Sequence, residues 1–367
     1  MTLVLPLFCY IFFVSFMNEG VPMGLPIAVV DQDNSSMSRS FVRKLDASPQ
    51  TTIKAHLGSY HEGVDAMQRG DIHGFIILPR NMQADAMAGR TPEVAFYANN
   101  SYLMSGSLIM RDLSTISALS SASLNIGMRA ARGQSPEEII ANVQPVALDF
   151  HATGNPWANY SLYLSTILSH GLLQILILLT TVFSIGIEIK QGTAYQWLES
   201  AGGSMLRALA GKLLPYTLLF SLMAIAGNTL FFKYMQFPCQ GSFFAIQVAA
   251  VLLVIAYQAV GVFILGMLTD FNIALTLSGV FGVLGLSFSG LTFPIEIMDA
   301  PLQGFTLLYP IRYYFYAYMD IAMSGLSFSQ SILSFLALLA FLCFPVIILR
   351  RMKRMIIDSN PVNTIPA

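Results

Sequence analysis

The sequence predicts an α-helical polytopic membrane protein with six transmembrane helices and an extracytoplasmic α/β domain inserted between the first helix and the second. Two observations carry this prediction. The 367-residue chain is 55% hydrophobic and only 11% charged, whereas an average globular protein carries about 25% charged residues. The charge is also unevenly spread, because residues 21–157 hold 22 of the 39 Asp, Glu, Lys and Arg residues.

Six apolar runs lie outside the charged segment. A helix needs about 20 apolar residues to cross about 30 Å of hydrocarbon, and five runs are long enough: 160–187, 213–232, 243–268, 271–293 and 329–349. The first run, Thr2 to Met17, is shorter, but it lacks the basic flank and small-residue cleavage site of a signal peptide. We therefore expect a transmembrane helix there, with or without a cytoplasmic leader before Met1.

The distribution of Lys and Arg predicts the orientation, because these residues collect at the cytoplasmic ends of transmembrane helices. If both termini are cytoplasmic, seven cations lie inside: Lys190, Arg207, Lys212, Arg350, Arg351, Lys353 and Arg354. Only Lys233 and Arg312 then lie in the outer connections of the membrane part. The chain is thus expected to be a multi-pass protein of the inner, cytoplasmic membrane, with residues 20–157 periplasmic or extracellular.

Alternating and helical patterns predict a small mixed sheet with helices in the inserted segment. Short strands are expected at 25–30, 51–57, 74–78, 94–98 and 146–150. Helices are expected after the N-cap candidates of 31–36, after the capping box Ser59-Tyr-His-Glu62, at 80–88, at 101–132 with or without a break, and after a second capping box at 135–138.

No pattern in this chain predicts catalysis, a bound cofactor or a metal site. Asp31-x-Asp33-x-Ser35 lacks the glycine and the glutamate of a calcium loop, so we interpret it as helix capping. His56, His61 and His73 lie on different elements, and the three cysteines are far apart. A net charge of −1 gives no field for binding nucleic acid.

The stretch between the second and third apolar runs predicts an amphipathic helix at the cytoplasmic face. Ala194, Trp197, Leu198 and Ala201 recur at helical spacing. Gly202 and Gly203 break this helix, and a second short helical segment is expected at 205–209. From periodicity alone, an interfacial linker without further function is an equally good interpretation.

In this stretch the chain resembles the permeases of the type-2 ABC transporter family. The resemblance rests on three features: Glu188-Ile-Lys-Gln-Gly-Thr193, the amphipathic connector, and Gly211-Lys-Leu-Leu-Pro215 before the third helix. The start of the soluble segment at 26–35 and the segment 70–79 resemble the large-ectodomain branch of the family. Gly290-Leu-Thr-Phe-Pro294, Leu308-Tyr-Pro310 and Tyr313-Tyr-Phe-Tyr-Ala317 resemble its proline-bracketed outer segment. The chain departs from its relatives in lacking a basic leader before helix one.

The resemblance implies a type V ABC exporter fold that works as a dimer, formed with a second copy or a paralogue. The acidic–basic motif and connector would then meet a separate ATPase subunit. The residues implied in this coupling are Glu188, Lys190, Gly192, Thr193, Trp197, Glu199, Arg207 and Lys212. The chain contains no G-x-x-x-x-G-K-[ST] motif, so ATP and Mg²⁺ are expected on the partner ATPase.

The resemblance also implies that the second and fifth helices line the substrate path. The path residues expected there are His170, Gln174, Ser278, Phe281, Ser287 and Phe288. Hydrogen bonding between helices is the alternative role for such polar side chains in a membrane span. The glycines of 279–290 suit close packing, either between two copies or at a gate. An outer gate of short re-entrant helices is implied around Leu291, Pro294, Pro310 and Tyr313.

These expectations divide the chain into helix one (1–19), the outer α/β domain (20–157), helices two to six (158–350) and a cytoplasmic tail (351–367). The third part contains the coupling connector 188–212 and the re-entrant segment 294–328. Drug, lipid, antibiotic and peptide cargoes all fit this prediction, as does docking of the outer domain to a membrane-fusion protein.

Two other classes of protein are alternatives to an exporter. A membrane receptor or sensor would bind a ligand or partner through the outer domain and would need a cytoplasmic signalling module, for which the residues after Lys353 offer little length. An intramembrane enzyme would need paired acid–base or metal-binding residues within the spans, where His170 stands alone.

Overall fold

The computed structural model describes residues 4–16, 22–99, 103–131, 161–268, 270–291 and 293–358. Contacts divide the chain into two compact units. The soluble unit is Val21–Phe150, and the helical unit combines Met1–Gly20 with His151–Ala367.

The soluble unit contains a four-stranded sheet in the order β2-β1-β3-β4. The strands are β1 (Leu25–Asp31), β2 (Thr51–His56), β3 (Gly74–Leu78) and β4 (Ala95–Ala98). β1 pairs in parallel with both β2 and β3, and β4 runs antiparallel to β3. The central strand β1 is buried along most of its length, as expected for a strand covered on both faces.

The described part of the soluble unit contains four helices: α2 (Ser36–Asp46), α3 (Tyr60–Gln68), α4 (Met82–Met87) and α5 (Leu103–Ala131). On one face of the sheet, Ile27 and Ile76 pack with Phe41 of α2 and Ile109 of α5. The other face is covered by α3, whose core contact is with Phe75. The sheet is therefore the middle layer of a three-layer α/β unit.

Most local predictions for the soluble unit are confirmed. The four strands lie where alternation placed them, and Ser59 caps α3 by accepting a hydrogen bond from the Glu62 amide at 3.3 Å. Ser35 caps α2 in the same way, from the Ser38 amide at 3.1 Å. The helix expected within 101–132, for which a break was an open alternative, is present as the single 29-residue helix α5. The second capping box and the fifth strand lie outside the described residues.

The helical unit begins with α1 (Val4–Phe16) and continues with helices that are mostly long and apolar. Those that follow are α6 (Thr166–Lys190), α7 (Ala194–Ser200), α8 (Met205–Thr229), α9 (Phe243–Met267), α10 (Phe271–Ser287), α11 (Ala300–Thr306), α12 (Pro310–Tyr318), α13 (Ile332–Ala340) and α14 (Cys343–Asp358). Three short π-helical segments adjoin these helices. Ser161–Ser165 precedes α6, Leu230–Tyr234 follows α8, and Met319–Met323 follows α12.

Among the described residues, four helical segments are long and apolar enough to cross a membrane: Thr166–Lys190, Met205–Tyr234, Phe243–Met267 and Ile332–Asp358. The last segment joins α13 to α14 through Phe341 and Leu342. Val4–Phe13 and Phe271–Ser287 are apolar but shorter. The described residues therefore contain four helices of spanning length and two shorter apolar helices.

Two sequence-based boundaries within this unit are wrong. Residues 205–209 are helical as expected, but they are the first turn of α8, which runs unbroken from Met205 and carries Pro215 in its interior. The fifth apolar run was expected to be helical to 293, but α10 ends at Ser287. The chain turns there through Gly290, whose φ of 89° suits glycine.

Helix α9 is the centre of the helical unit. It packs against α6, α8, α12 and α14, and most of its residues are buried. Helix α6 lies between α9 and α10 and contacts both along its length. Large buried side chains such as Tyr257, Phe231 and Tyr314 fill the space between the helices. This packing places α6 where it touches most other helices of the unit.

Candidate functional site

The end of α6 forms a tight turn that returns the chain toward α7. The Thr193 amide donates to the Glu188 carbonyl at 3.0 Å, and the Gly192 amide donates to the Ile189 carbonyl at 3.3 Å. This pair of bonds is a Schellman motif. It needs a residue with positive φ, which Gly192 supplies at 72°. The Gly-Thr of the motif thus ends the helix and places Thr193 beside Glu188.

Glu188 is held by two side chains from different elements. Its Oε1 accepts a hydrogen bond from Lys212 Nζ of α8, and its Oε2 accepts one from Thr193 Oγ1. The Glu188 and Lys212 side chains are 23% and 20% exposed, so the ion pair is half-buried. Lys212 Nζ also lies 5.7 Å from the centre of the Trp197 ring on α7. One carboxylate therefore connects α6, α7 and α8.

An open cavity of about 730 Å³ lies beside this ion pair. Its walls come from α7, the turn that follows it and the first turns of α8, and they include Trp197, Ser200, Gly202, Arg207 and Lys212. Gly202 and Gly203 both have positive φ and form the turn between the two helices. Ser200 and Arg207 are exposed at the rim. The cavity is open to the surface at the connector.

The structure brings together some of the predicted coupling residues and separates others. Glu188, Thr193, Trp197 and Lys212 meet in one cluster. Lys190 does not join them, because its Nζ lies 5.5 Å from the ring centre of Phe271 on α10. Glu199 and Arg207 are exposed on either side of the glycine turn.

The two polar side chains predicted for the path on α6 are fully buried within this chain. His170 Nδ1 donates to the Thr166 carbonyl at 2.8 Å, and His170 Nε2 lies 3.2 Å from the Tyr314 hydroxyl on α12. Gln174 Nε2 donates to the Gly282 carbonyl of α10 at 3.0 Å. Both side chains therefore join helices of one chain, and their role in a substrate path stays a prediction.

The His170 contact is part of a larger buried network. The Tyr314 hydroxyl is 3.3 Å from Asn228 Oδ1 on α8, and Asn228 Nδ2 donates to Gln247 Oε1 on α9 at 3.3 Å. The Tyr10 ring of α1 meets His170 edge-on, with centroids 6.0 Å apart. Side chains from five helices thus converge on one polar cluster in an apolar interior, where each unpaired group would be costly.

The glycines of α10 allow close contact with side chains of α6 and with Tyr309. A Cβ on Gly282 would lie 2.9 Å from Ile175 of α6, and one on Gly285 would lie 3.2 Å from Gln174 Nε2 and from the Tyr309 ring. Gly279 has looser surroundings, with Leu179 at 3.8 Å. These close approaches explain how α10 can lie flat against α6.

The other predicted path residues on α10 have different surroundings. Phe281 and Phe288 stack on the Tyr309 ring with centroids 4.5 Å and 5.6 Å away. Ser278 is buried and donates to the Ala274 carbonyl of its own helix at 2.8 Å. Ser287 is exposed. The aromatic pair therefore fixes the start of α12 against α10.

The predicted outer segment contains two short helices. Pro294 and Pro310 precede or start helical turns, as expected for proline at a first helical position. Leu291 is buried, and the Tyr313 hydroxyl donates to the Leu307 carbonyl at 3.3 Å. The Arg312 guanidinium donates to Thr306 Oγ1 and lies over the Tyr316 ring at 5.5 Å. The side chains of this segment are therefore held by packing and hydrogen bonds within the segment.

Sequence reasoning missed Tyr10, Asn228, Gln247 and Tyr314 as members of the buried network. A signal for two of them was available, because Asn228 and Gln247 are polar residues inside apolar runs, where polar groups usually face a partner. Tyr10 and Tyr314 carry no such signal, since tyrosines are frequent along the apolar runs of this chain.

The long apolar helices, the central α9 and the connector between α6 and α8 define a polytopic helical membrane protein. The family model described as "ABC-2 family transporter protein" matches residues 1–350. The chain therefore belongs to the ABC-2 transporter family, and the sequence-based recognition of type-2 ABC permeases is confirmed. A search of curated proteins finds no matching relative.

Membership of this family makes the chain the membrane component, or permease subunit, of an ABC transporter. Its partners are an ABC ATPase and the lipid bilayer.

Proposed function

We propose that this permease is an exporter that works as a dimer with separate ATPase subunits and moves its substrate outward by alternating access. The observation that supports this most directly is the Glu188–Lys212 ion pair. It lies where α6, α7 and α8 meet, next to the open cavity of the connector. A push on α7 by an ATPase would therefore reach two long helices through a single carboxylate.

The physical argument rests on how much such a pair can shift a two-state equilibrium. Exposed ion pairs contribute about 0–1 kcal/mol, and removing one partner of a buried pair costs about 3–5 kcal/mol. The half-buried Glu188–Lys212 pair falls between these limits, at roughly 1–3 kcal/mol. Conformations of a transporter differ by a few kcal/mol, so the pair is strong enough to transmit the motion of the connector.

The proposed topology has six transmembrane helices, both termini in the cytoplasm and the soluble unit outside the inner membrane. The spans would be α1, α6, α8, α9, α10, and α13 with α14. The clustering of Lys190, Arg207, Lys212 and the basic residues of α14 at the same proposed side supports this arrangement. Helices α11 and α12 would lie in the outer leaflet as re-entrant helices.

An apolar stripe on α10 supports the dimer. Ile273, Leu277, Val280 and Leu284 recur at helical spacing and are 58%, 45%, 50% and 38% exposed. Helices α6 and α10 would then face their counterparts in a second permease across the substrate path. A membrane-fusion protein docked to the soluble unit would complete an efflux conduit in this proposal.

The test compares ATP hydrolysis by the permease–ATPase complex in proteoliposomes with that of the free ATPase subunit. The variants are Glu188→Gln, Lys212→Gln and the exchanged pair Glu188→Lys with Lys212→Glu. We expect the single variants to assemble with the ATPase. The change in ATP hydrolysis that the permease causes should be about tenfold smaller in these variants, a factor that corresponds to about 1.4 kcal/mol. The exchanged pair should recover most of it.

Asp358→Asn is the matched control, because it also removes one carboxylate from the helical unit but lies exposed at the end of α14. It should behave as the unmodified protein does. If Glu188→Gln hydrolyses ATP like the control, Glu188 serves only to anchor α6 at the membrane surface and the coupling proposal fails.

A further inference from the structure

A groove in the soluble unit follows one face of α2. Ser36, Met37, Ser40, Phe41 and Lys44 recur along this face at helical spacing. Helices α4 and α5 form the two walls. The groove holds cavities of about 310 Å³ and 220 Å³ that share Met37, Phe41 and Ser120 in their linings. Small-molecule sites occupy about 300–1,000 Å³, so the groove has the size of a ligand site.

The bottom of the groove is apolar and rich in methionine. Phe41, Met82 and Ala86 are buried, and Met37 is partly buried between them. Met87 lies at the edge and is 65% exposed. Methionine side chains are flexible and polarizable and adapt to bound molecules of varied shape. This surface suits an apolar body rather than a chain of hydrogen-bonding groups.

One wall of the groove offers hydroxyl groups from α5. Ser117, Ser120 and Ser123 line it at helical spacing. Ser123 donates to the Leu119 carbonyl at 2.7 Å. The Ser120 oxygen is buried and has no hydrogen-bond partner among the residues that the structure describes. A buried hydroxyl is usually paired, so Ser120 can bond to a polar atom of a molecule bound beside it.

The groove carries a positive charge at one end. Arg90 lines the second cavity, but its Nε donates to Asp85 Oδ1 at 3.0 Å, which neutralises it. Lys44 lines the first cavity, and the structure shows no ion pair to it from any residue that it describes. The net charge of the groove is therefore that of the Lys44 ammonium.

We propose that this groove binds a small amphipathic anion, with the apolar body over Met37, Phe41 and Met87 and the anionic group at Lys44. A carboxylate or sulfonate on an aromatic or branched aliphatic body fits this description. The proposal goes beyond transport, and its test needs no ATPase subunit, so its outcome is independent of the coupling proposal.

The experiment uses the full chain in phosphatidylcholine nanodiscs, whose lipid has no net charge, and naphthalene-2-sulfonate as the probe. Isothermal titration calorimetry should give saturable binding that is absent from empty nanodiscs. Lys44→Gln should weaken this binding about three- to fivefold, the size of one exposed ion pair. Added salt should weaken binding to the unmodified protein but not to the variant.

Two controls separate the groove from general electrostatic attraction. Arg43→Gln removes the same charge from the neighbouring position of α2, but Arg43 is exposed and does not line either cavity, so its binding should change less than about twofold. The uncharged probe 2-naphthalenemethanol should bind more weakly and should not distinguish Lys44→Gln from the unmodified protein. Met87→Ser, at an exposed position, should weaken both probes.

The proposal is overturned if naphthalene-2-sulfonate shows no saturable binding above that of empty nanodiscs. It is equally overturned if Lys44→Gln leaves binding unchanged, or if Arg43→Gln weakens binding as much as Lys44→Gln does. Because the substituted side chains are exposed or at the rim, the variants should fold as the unmodified chain does.

Discussion

His170 on α6 and Tyr314 on α12 stack their rings with centroids 4.7 Å apart and planes inclined by 28°. Their polar atoms also meet, with His170 Nε2 and the Tyr314 hydroxyl 3.2 Å apart. Both side chains are fully buried. This contact joins a helix of spanning length to a short helix of the outer segment, and Asn228 of α8 extends it to a third element.

Removing the Tyr314 hydroxyl should destabilise the helical unit. Tyr314→Phe keeps the stacked ring but removes the one hydroxyl proton that His170 Nε2 or Asn228 Oδ1 can accept, and a buried acceptor without its donor costs about 1–3 kcal/mol. We expect a lower apparent melting temperature for the purified variant. Tyr234→Phe is the control, because Tyr234 is 79% exposed. Equal melting temperatures for the two variants would show that the network adds nothing to stability.

Adding a methyl group to Gly227 should displace α1 from α8. A Cβ there would lie 2.2 Å from Cε1 of the Tyr10 ring, which is itself buried, and such overpacking costs about 1–3 kcal/mol. Gly227→Ala should therefore make Cys9, the neighbour of Tyr10 on α1, react faster with a maleimide reagent.

Gly211→Ala is a control on the same helix, since nothing lies within 4 Å of the added atom. It gains the same helix propensity, about 1 kcal/mol, and should not alter the reactivity of Cys9. The packing argument fails if both variants leave the labelling rate of Cys9 where it was.

The proposed topology predicts opposite labelling of two exposed positions. In a background without the native cysteines, Glu93→Cys in the soluble unit should react with a membrane-impermeant maleimide added to spheroplasts. Ser200→Cys at the end of α7 should react only after the membrane is permeabilised. Both positions are exposed, so accessibility within the protein is matched. Labelling of Glu93→Cys only after permeabilisation would reverse the assignment.

The apolar stripe of α10 should lie at the contact between two permeases. Leu277→Cys and Val280→Cys are expected to give cross-linked dimers in native membranes with a short bismaleimide. Leu218→Cys on α8 should not, although Leu218 is 65% exposed and equally apolar. Efficient cross-linking of Leu218→Cys together with failure at both α10 positions would place the contact elsewhere.

Local structure in the soluble unit was predictable because its signals are local. The apolar patterns located β1 to β4. The four-residue capping box that begins at Ser59 located the start of α3. The pairing of β1 with both β2 and β3 was not predictable, because it depends on contacts between distant segments. The continuity of α5 was not predictable either, since its serines are individually weak helix formers.

In the candidate site too, local features were predictable and contacts between distant segments were not. The sequence placed Glu188, Arg207 and Lys212 among the coupling residues but did not show which of the two cations pairs with Glu188. The choice between them depends on the turn at Gly202 and Gly203 and on the unbroken course of α8, which together bring Lys212 to the carboxylate. Similarly, apolar periodicity cannot show that Tyr314 and Asn228 meet, because α8 and α12 are brought together only by the packing of the whole unit.

The strand order of the soluble unit has a consequence for its assembly during translation. β1 is the first strand to be synthesised, yet it lies in the middle of the sheet and takes both of its neighbours from later parts of the chain. One edge of β1 can pair with β2, but its other edge stays unpaired until Gly74–Leu78 has been made. Apolar strands without partners are prone to aggregate. We therefore expect a chaperone that acts during synthesis to bind Leu25–Asp31. A ribosome stalled before β3 would leave this strand exposed.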